Sequence, residues 1–145
     1  MDKLINRDMI VLDMEASSKD EVIEKLARII EKQGRLIDLD EYLAQVHRRE
    51  EEFPTSVGFG VSIPHGKCEA VRDAAVAFAR LKNPVQWSAD EKVRYVFLLA
   101  VPEKEAGNTH LQILAQLSRK IMREEFRERL ENSQGIDEIA SVLEM

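Results

Sequence analysis

The stretch Val93-Arg94-Tyr95-Val96-Phe97-Leu98-Leu99-Ala100-Val101 is apolar throughout except for Arg94. A strand with one wet face would alternate apolar and polar residues; this one does not, so it reads as a central strand covered on both faces. That requirement fixes the architecture, because the chain must then supply apolar helical stripes for two sides of a sheet. Ala74 to Leu81 reads as a second strand and Met9 to Leu12 as a short first one. Asn83-Pro84 is expected to turn the chain after the second strand, with Val85-Gln86-Trp87 as a short edge piece and Trp87 packing over the rim.

The helices are marked by their starts. Ser18 with Glu21, Asp38 with Glu41 and Thr109 with Gln112 each repeat a capping-box spacing. Val22, Ile23, Leu26, Ala27, Ile29 and Ile30 follow the first at helical spacing until Gly34 supplies a stop. Tyr42, Leu43 and Val46 line the second helix, which carries Arg48 and Arg49 near its end. Leu111, Leu114, Ala115, Leu117 and Ile121 line the third; Glu124 to Leu130 is a short helix, and Ile136, Ile139, Ala140 and Leu143 shape a last one. Strands interspersed with helices predict an α/β sandwich with helices on both faces of a sheet.

With 145 residues, a single domain over 1–145 is expected, burying roughly two-thirds of its unfolded surface. The 44% hydrophobic and 33% charged composition is that of a globular protein. No apolar run approaches the ~20 residues needed to span a bilayer, so no direct membrane insertion is expected. Met1 to Arg7 lacks the layout of a signal peptide, which makes the cytoplasm the expected location. The net charge of −6 argues against nucleic-acid binding through a broad basic face. Cys68, the only cysteine, excludes an intrachain disulfide and a multi-cysteine zinc site.

The chemistry concentrates in Val57-Gly58-Phe59-Gly60-Val61-Ser62-Ile63-Pro64-His65-Gly66-Lys67. Val61 and Ile63 alternate with small residues as in a short strand, and Pro64 stops it by removing a ladder donor. Pro64 also biases Ile63 toward an extended backbone, while Gly66 allows a tight turn or a close approach. His65 is thus expected at a strand end, held but reachable. The upstream Phe53-Pro54-Thr55-Ser56 reads as a loop whose hydroxyls, with the glycine amides, suit a phosphate. The glycine stretch lacks the lysine and serine or threonine ending of a nucleotide P-loop. Thr109 as cap puts His110 at the first helical position, where the helix dipole favours a neutral imidazole beside an anion; the spacing alone fits equally well a histidine without a partner.

The order of Arg49 and Glu50, then Val57-Gly58, then Val61-Ser62-Ile63-Pro64-His65-Gly66 resembles the phosphorylation-site signature of the type-2 (fructose/mannitol) IIA domains of the bacterial phosphoenolpyruvate-dependent sugar phosphotransferase system. The block from Asn108-Thr109-His110 to Arg119 is similar to the second histidine region of that family, so the resemblance covers nearly the whole chain. Ser62 stands where the family usually has alanine, and Phe59 where a small or polar residue is common. The resemblance implies a three-layer α/β/α sandwich with a mixed sheet. It also implies that His65 accepts a phosphoryl group at Nε2 from the phosphocarrier protein HPr and passes it to a IIB component of a sugar permease.

In that scheme His110 and Arg49 support the phosphoryl group, and Gly58, Phe59, Gly60 and Glu50 contribute to phosphate or partner binding. Val57 fits either an apolar docking rim or the core, and Glu50-Glu51-Glu52 either local attraction for a partner or a solvated helix end. The scheme calls for no metal and no cofactor. A regulatory, nitrogen-type IIA-like protein would share every one of these residues. A metal-assisted hydrolase built on His65 and His110 lacks ligand spacing.

Overall fold

The computed structural model describes residues 4–104 and 109–143, and the side chains of 109–111 lie outside that description. Strand β1 (Ile10–Met14) leads into helices α1 (Lys19–Lys32) and α2 (Leu39–Glu52). Three short strands follow, β2 (Ser56–Gly58), β3 (Val61–Ser62) and β4 (His65–Cys68), and then two long ones, β5 (Ala75–Gln86) and β6 (Lys92–Pro102). Helices α3 (Thr109–Ile121), α4 (Glu124–Asn132) and α5 (Ile136–Val142) complete the chain.

Among the described residues the sheet has six strands in the order β1-β5-β6-β3-β2, with β4 also on β6. It is mixed: β1 runs parallel to β5, β5 antiparallel to β6, and β3 and β4 parallel to β6. The central position expected of the apolar run is where β6 lies, and Val96, Phe97, Leu98, Leu99 and Ala100 are each 0% exposed. Helix α1 packs on β5 and α2 on β4. On the other face Arg80 Nη1 donates to the carbonyls of Leu130 at 2.9 Å and Ser133 at 2.6 Å, and the Tyr95 hydroxyl donates to the Glu131 carboxylate, so α4 covers that side. The result is the expected three-layer α/β/α sandwich.

The helix starts form as their capping residues dictate. Ser18 Oγ accepts the amide of Glu21 at 3.2 Å and Asp38 Oδ1 that of Glu41 at 3.1 Å. Gly34, at φ 74°, ends α1 in the left-handed conformation that glycine adopts without a Cβ penalty.

Four differences from the sequence reading bear on the sheet and the site. Strand β5 does not turn at Asn83-Pro84 but continues to Gln86, with an irregular register against β6 between Arg80 and Val85. Its pairing with β1 ends at Leu81, so Pro84 sits where a missing donor breaks no rung on that side. Ser56 belongs to β2 and not to a loop. Helix α3 begins at Thr109, making His110 its second residue. The fourth difference concerns His65 itself.

Candidate functional site

His65 does not end a strand; it begins one. Segments β3 and β4 pair with β6 at the same offset, Val61 opposite Tyr95 and His65 opposite Leu99, so they form one line interrupted only at Ile63-Pro64. The Pro64 carbonyl accepts the Leu99 amide at 3.0 Å, facing β6. In an extended chain the nitrogen of the same residue points the same way, so proline deletes one rung there. Ile63 faces the opposite side, where its amide donates to the Thr55 carbonyl at 3.0 Å. Its carbonyl, left without a strand partner, is met by His65 Nδ1 at 3.0 Å.

That contact decides the tautomer. A carbonyl oxygen only accepts, so the bond requires the proton on Nδ1 and leaves the lone pair on Nε2. Burial holds the imidazole below its ordinary pKa, helped by the nearby Arg49 guanidinium; the Ile63 bond and the Glu50 carboxylate pull the other way. A half-buried, neutral imidazole with a fixed tautomer is a nucleophile poised at Nε2.

Gly66 contributes a close approach and not a turn. A Cβ there would lie 3.0 Å from Val46 Cγ2 and 3.1 Å from Tyr42 Cε1, so its absence lets α2 rest on β4. Tyr42, fully buried, donates its hydroxyl to the Leu99 carbonyl at 2.7 Å, fixing the helix beside the register partner of His65. This seating brings the C-terminal end of α2 to the site. There Arg49 Nη1 donates to the Phe53 carbonyl at 2.8 Å, holding the guanidinium over its own helix end, whereas Arg48 is exposed.

Glu50 corrects an expectation. It is 6% exposed, and its carboxylate accepts the Thr55 hydroxyl, the Thr55 amide at 3.3 Å and the Lys19 ammonium at 2.8 Å. A buried carboxylate so engaged holds the loop and is not available to attract a partner. The same bond commits the Thr55 hydroxyl, expected for phosphate, to Glu50.

The glycine stretch folds as a hairpin. Gly58 pairs with Val61, and the two residues between them, Phe59 at φ 59° and Gly60 at φ 73°, both have positive φ, as in a type I′ turn. A bulky residue at such φ is a backbone outlier that the sequence reading did not foresee. The Phe59 ring is covered by Arg127, whose Cζ lies 3.9 Å from the ring centroid, yet remains 52% exposed. Val57 does not lie in the core, being exposed like Phe53, so Phe53, Val57 and Phe59 are three exposed apolar side chains of this stretch. The backbone of His110 is in α3, but its side chain lies outside the described residues. Among the described residues no cluster of histidine, cysteine and carboxylate side chains suits a metal, and no helix is long and apolar enough to cross a membrane.

The sequence model of the phosphoenolpyruvate-dependent sugar phosphotransferase system, EIIA 2, matches residues 3–145. The chain belongs to this family. EIIA components of the system are phosphoryl carriers. A 2-O-alpha-mannosyl-D-glycerate-specific EIIABC component of Escherichia coli is 38% identical over 144 residues, covering 97% of this chain and 22% of that protein. The chain spans only about a fifth of the length of the first curated relatives it matches. The EIIA fold is shared with the nitrogen regulatory protein IIA-Ntr of Neisseria meningitidis, at TM-score 0.88 and 32% identity, covering 97% of this chain and 96% of that one. It is shared too with the mannitol IIA of E. coli in its complex with phosphorylated IIB, at TM-score 0.81 and 26% identity, covering 97% and 98%.

Proposed function

We propose that residues 1–145 act as one EIIA domain in which His65 carries the phosphoryl group. The observation that carries this reading is the Nδ1 bond to Ile63, which leaves the attacking lone pair on Nε2. Nε2 attacks the phosphorus held as a phosphohistidine on HPr. The new nitrogen–phosphorus bond forms as the old one breaks, and its electron pair returns to the donor imidazole. In the second step the phosphoryl group leaves Nε2 for the nucleophile of a IIB component, and the lone pair returns to His65. Transfer of this kind asks the protein for alignment and charge stabilisation. Arg49 offers a fork of donors from the end of α2, and His110 a neutral donor from the start of α3. The exposed Phe53, Val57 and Phe59 form the rim against which either protein docks.

The likeness to a IIA complexed with phosphorylated IIB supports a sugar-transport relay. The likeness to IIA-Ntr favours a second reading, in which the phosphorylation state of the same histidine controls protein targets. The separating experiment loads the chain with phosphate from phosphorylated HPr and chases it with a IIB component of the fructose or mannitol type. Transport predicts rapid loss of the label to IIB, slowed about 10²-fold by His110→Ala. A label that HPr delivers but IIB does not remove points to the regulatory role.

A further inference from the structure

We infer that Lys19 is a positioning residue for His65, acting through Glu50, Thr55 and Ile63. The inference rests on the proposed role of His65. Lys19 is the first residue of α1, where the helix dipole disfavours a cation, so its place there must be stabilised by something outside the helix. Its ammonium lies 2.8 Å from Glu50 Oε2 and 5.5 Å from the centroid of the buried Trp87 ring. The Glu50 side chain is 3% exposed and that of Lys19 22%, so this pair is shielded in a way that surface pairs are not.

From Glu50 the bonds run without a gap to the reactive ring. Glu50 accepts the hydroxyl of Thr55 and, at 3.3 Å, its amide. The Thr55 carbonyl accepts the Ile63 amide at 3.0 Å, and the Ile63 carbonyl accepts His65 Nδ1–H at 3.0 Å. The last bond sets both the tautomer and the plane of the imidazole. Its acceptor is fixed only as well as the segment around Thr55, which Glu50 holds. Without Lys19 the buried carboxylate loses its counter-charge and turns toward water. That change loosens its hold on Thr55, and the Ile63 carbonyl with it. In the unphosphorylated protein the ring then samples the other tautomer, with the proton on the nitrogen that should attack. Misplacement of a reacting group on this scale commonly costs on the order of 10- to 100-fold in rate.

The test pairs two readouts on the full chain. Nitrogen-15 NMR of the imidazole reports the share of the Nδ1–H tautomer and needs no phosphoryl donor, while labelling from phosphorylated HPr reports the rate of acceptance. Lys19→Met, which removes the ammonium and keeps an unbranched apolar side chain, should lower the Nδ1–H share and slow acceptance about tenfold. Lys19→Arg should restore both. Thr55→Val, which removes the hydroxyl and keeps the shape, should reproduce the Lys19→Met result by an independent route. Arg28→Met, on the exposed face of the same helix, should leave both readouts at parental values. A parental tautomer share and rate in Lys19→Met and Thr55→Val, whatever their thermal stability, would overturn the inference. Failure of the parent to accept phosphate would instead remove the carrier reading, and the tautomer comparison would still judge the positioning role.

Discussion

The imidazole of His65 is bonded through Nδ1 to the carbonyl of Ile63, two residues back across Pro64, at 3.0 Å. The Ile63 carbonyl faces away from β6, and the amide opposite it, that of Thr55, donates to Glu50 instead; the ring satisfies this carbonyl and is held in the form with its lone pair on Nε2.

The first consequence concerns pH. Desolvation, with Arg49 in support, lowers the His65 pKa from its ordinary 6.5. Between the folded midpoint and 6.5 the unfolded chain holds a proton that the folded chain has released, so this group makes stability rise with pH across that window and fall as pH drops through it. An NMR titration of the His65 ring should give a midpoint below 6.5, with the neutral nucleophile dominant at pH 7. A midpoint at or above 6.5 would contradict the electrostatic picture.

Arg49→Lys should slow phosphoryl acceptance by HPr-loading assay, because lysine lacks the planar fork of donors, while leaving the melting temperature nearly unchanged. Arg48, exposed one position earlier on α2, supplies the control. If Arg48→Lys slows acceptance and Arg49→Lys does not, Arg48 and not Arg49 meets the phosphoryl group.

Much of this arrangement is legible in the sequence. The apolar run of β6 announces two-faced burial because nothing in it alternates, and three capping pairs announce the helices. The second half of the split strand is not legible, since His65-Gly66-Lys67-Cys68 has no periodicity and owes its conformation to pairing with residues more than thirty positions away on β6. Glu50 misleads because three glutamates in a row read as a solvated helix end. The signal lies in its spacing: Tyr42, Val46 and Glu50 recur every four residues, on the buried face of α2. The positive φ of Phe59 left no trace, because the turn is imposed by the hairpin and phenylalanine has no preference for it.

Gly66→Ala tests the seating of α2. Restricting the unfolded chain gains about 0.4–1 kcal/mol, but a methyl group 3.0 Å from Val46 Cγ2 overpacks the interface at a cost of about 1–3 kcal/mol. Denaturant unfolding should show a net loss of stability; a more stable variant would mean that α2 yields freely.

Phe59 occupies a conformation that costs a residue with a Cβ about 1–2 kcal/mol, set against about 0.5–1 kcal/mol from the Arg127 stack. Asparagine tolerates the same backbone, so Phe59→Asn should change stability by less than about 1 kcal/mol. If the exposed ring serves docking, the concentration of HPr needed for half-maximal acceptance should rise severalfold. An unchanged requirement for HPr would remove Phe59 from the docking rim.

The central claim is that His65 carries the phosphoryl group. The chain is incubated with phosphoenolpyruvate, enzyme I and HPr, and its phosphorylation is followed by intact mass under alkaline conditions, for the parent and for His65→Ala. The account predicts a single acid-labile, alkali-stable phosphoryl group on the parent and none on the variant. Undiminished phosphorylation of His65→Ala would contradict it.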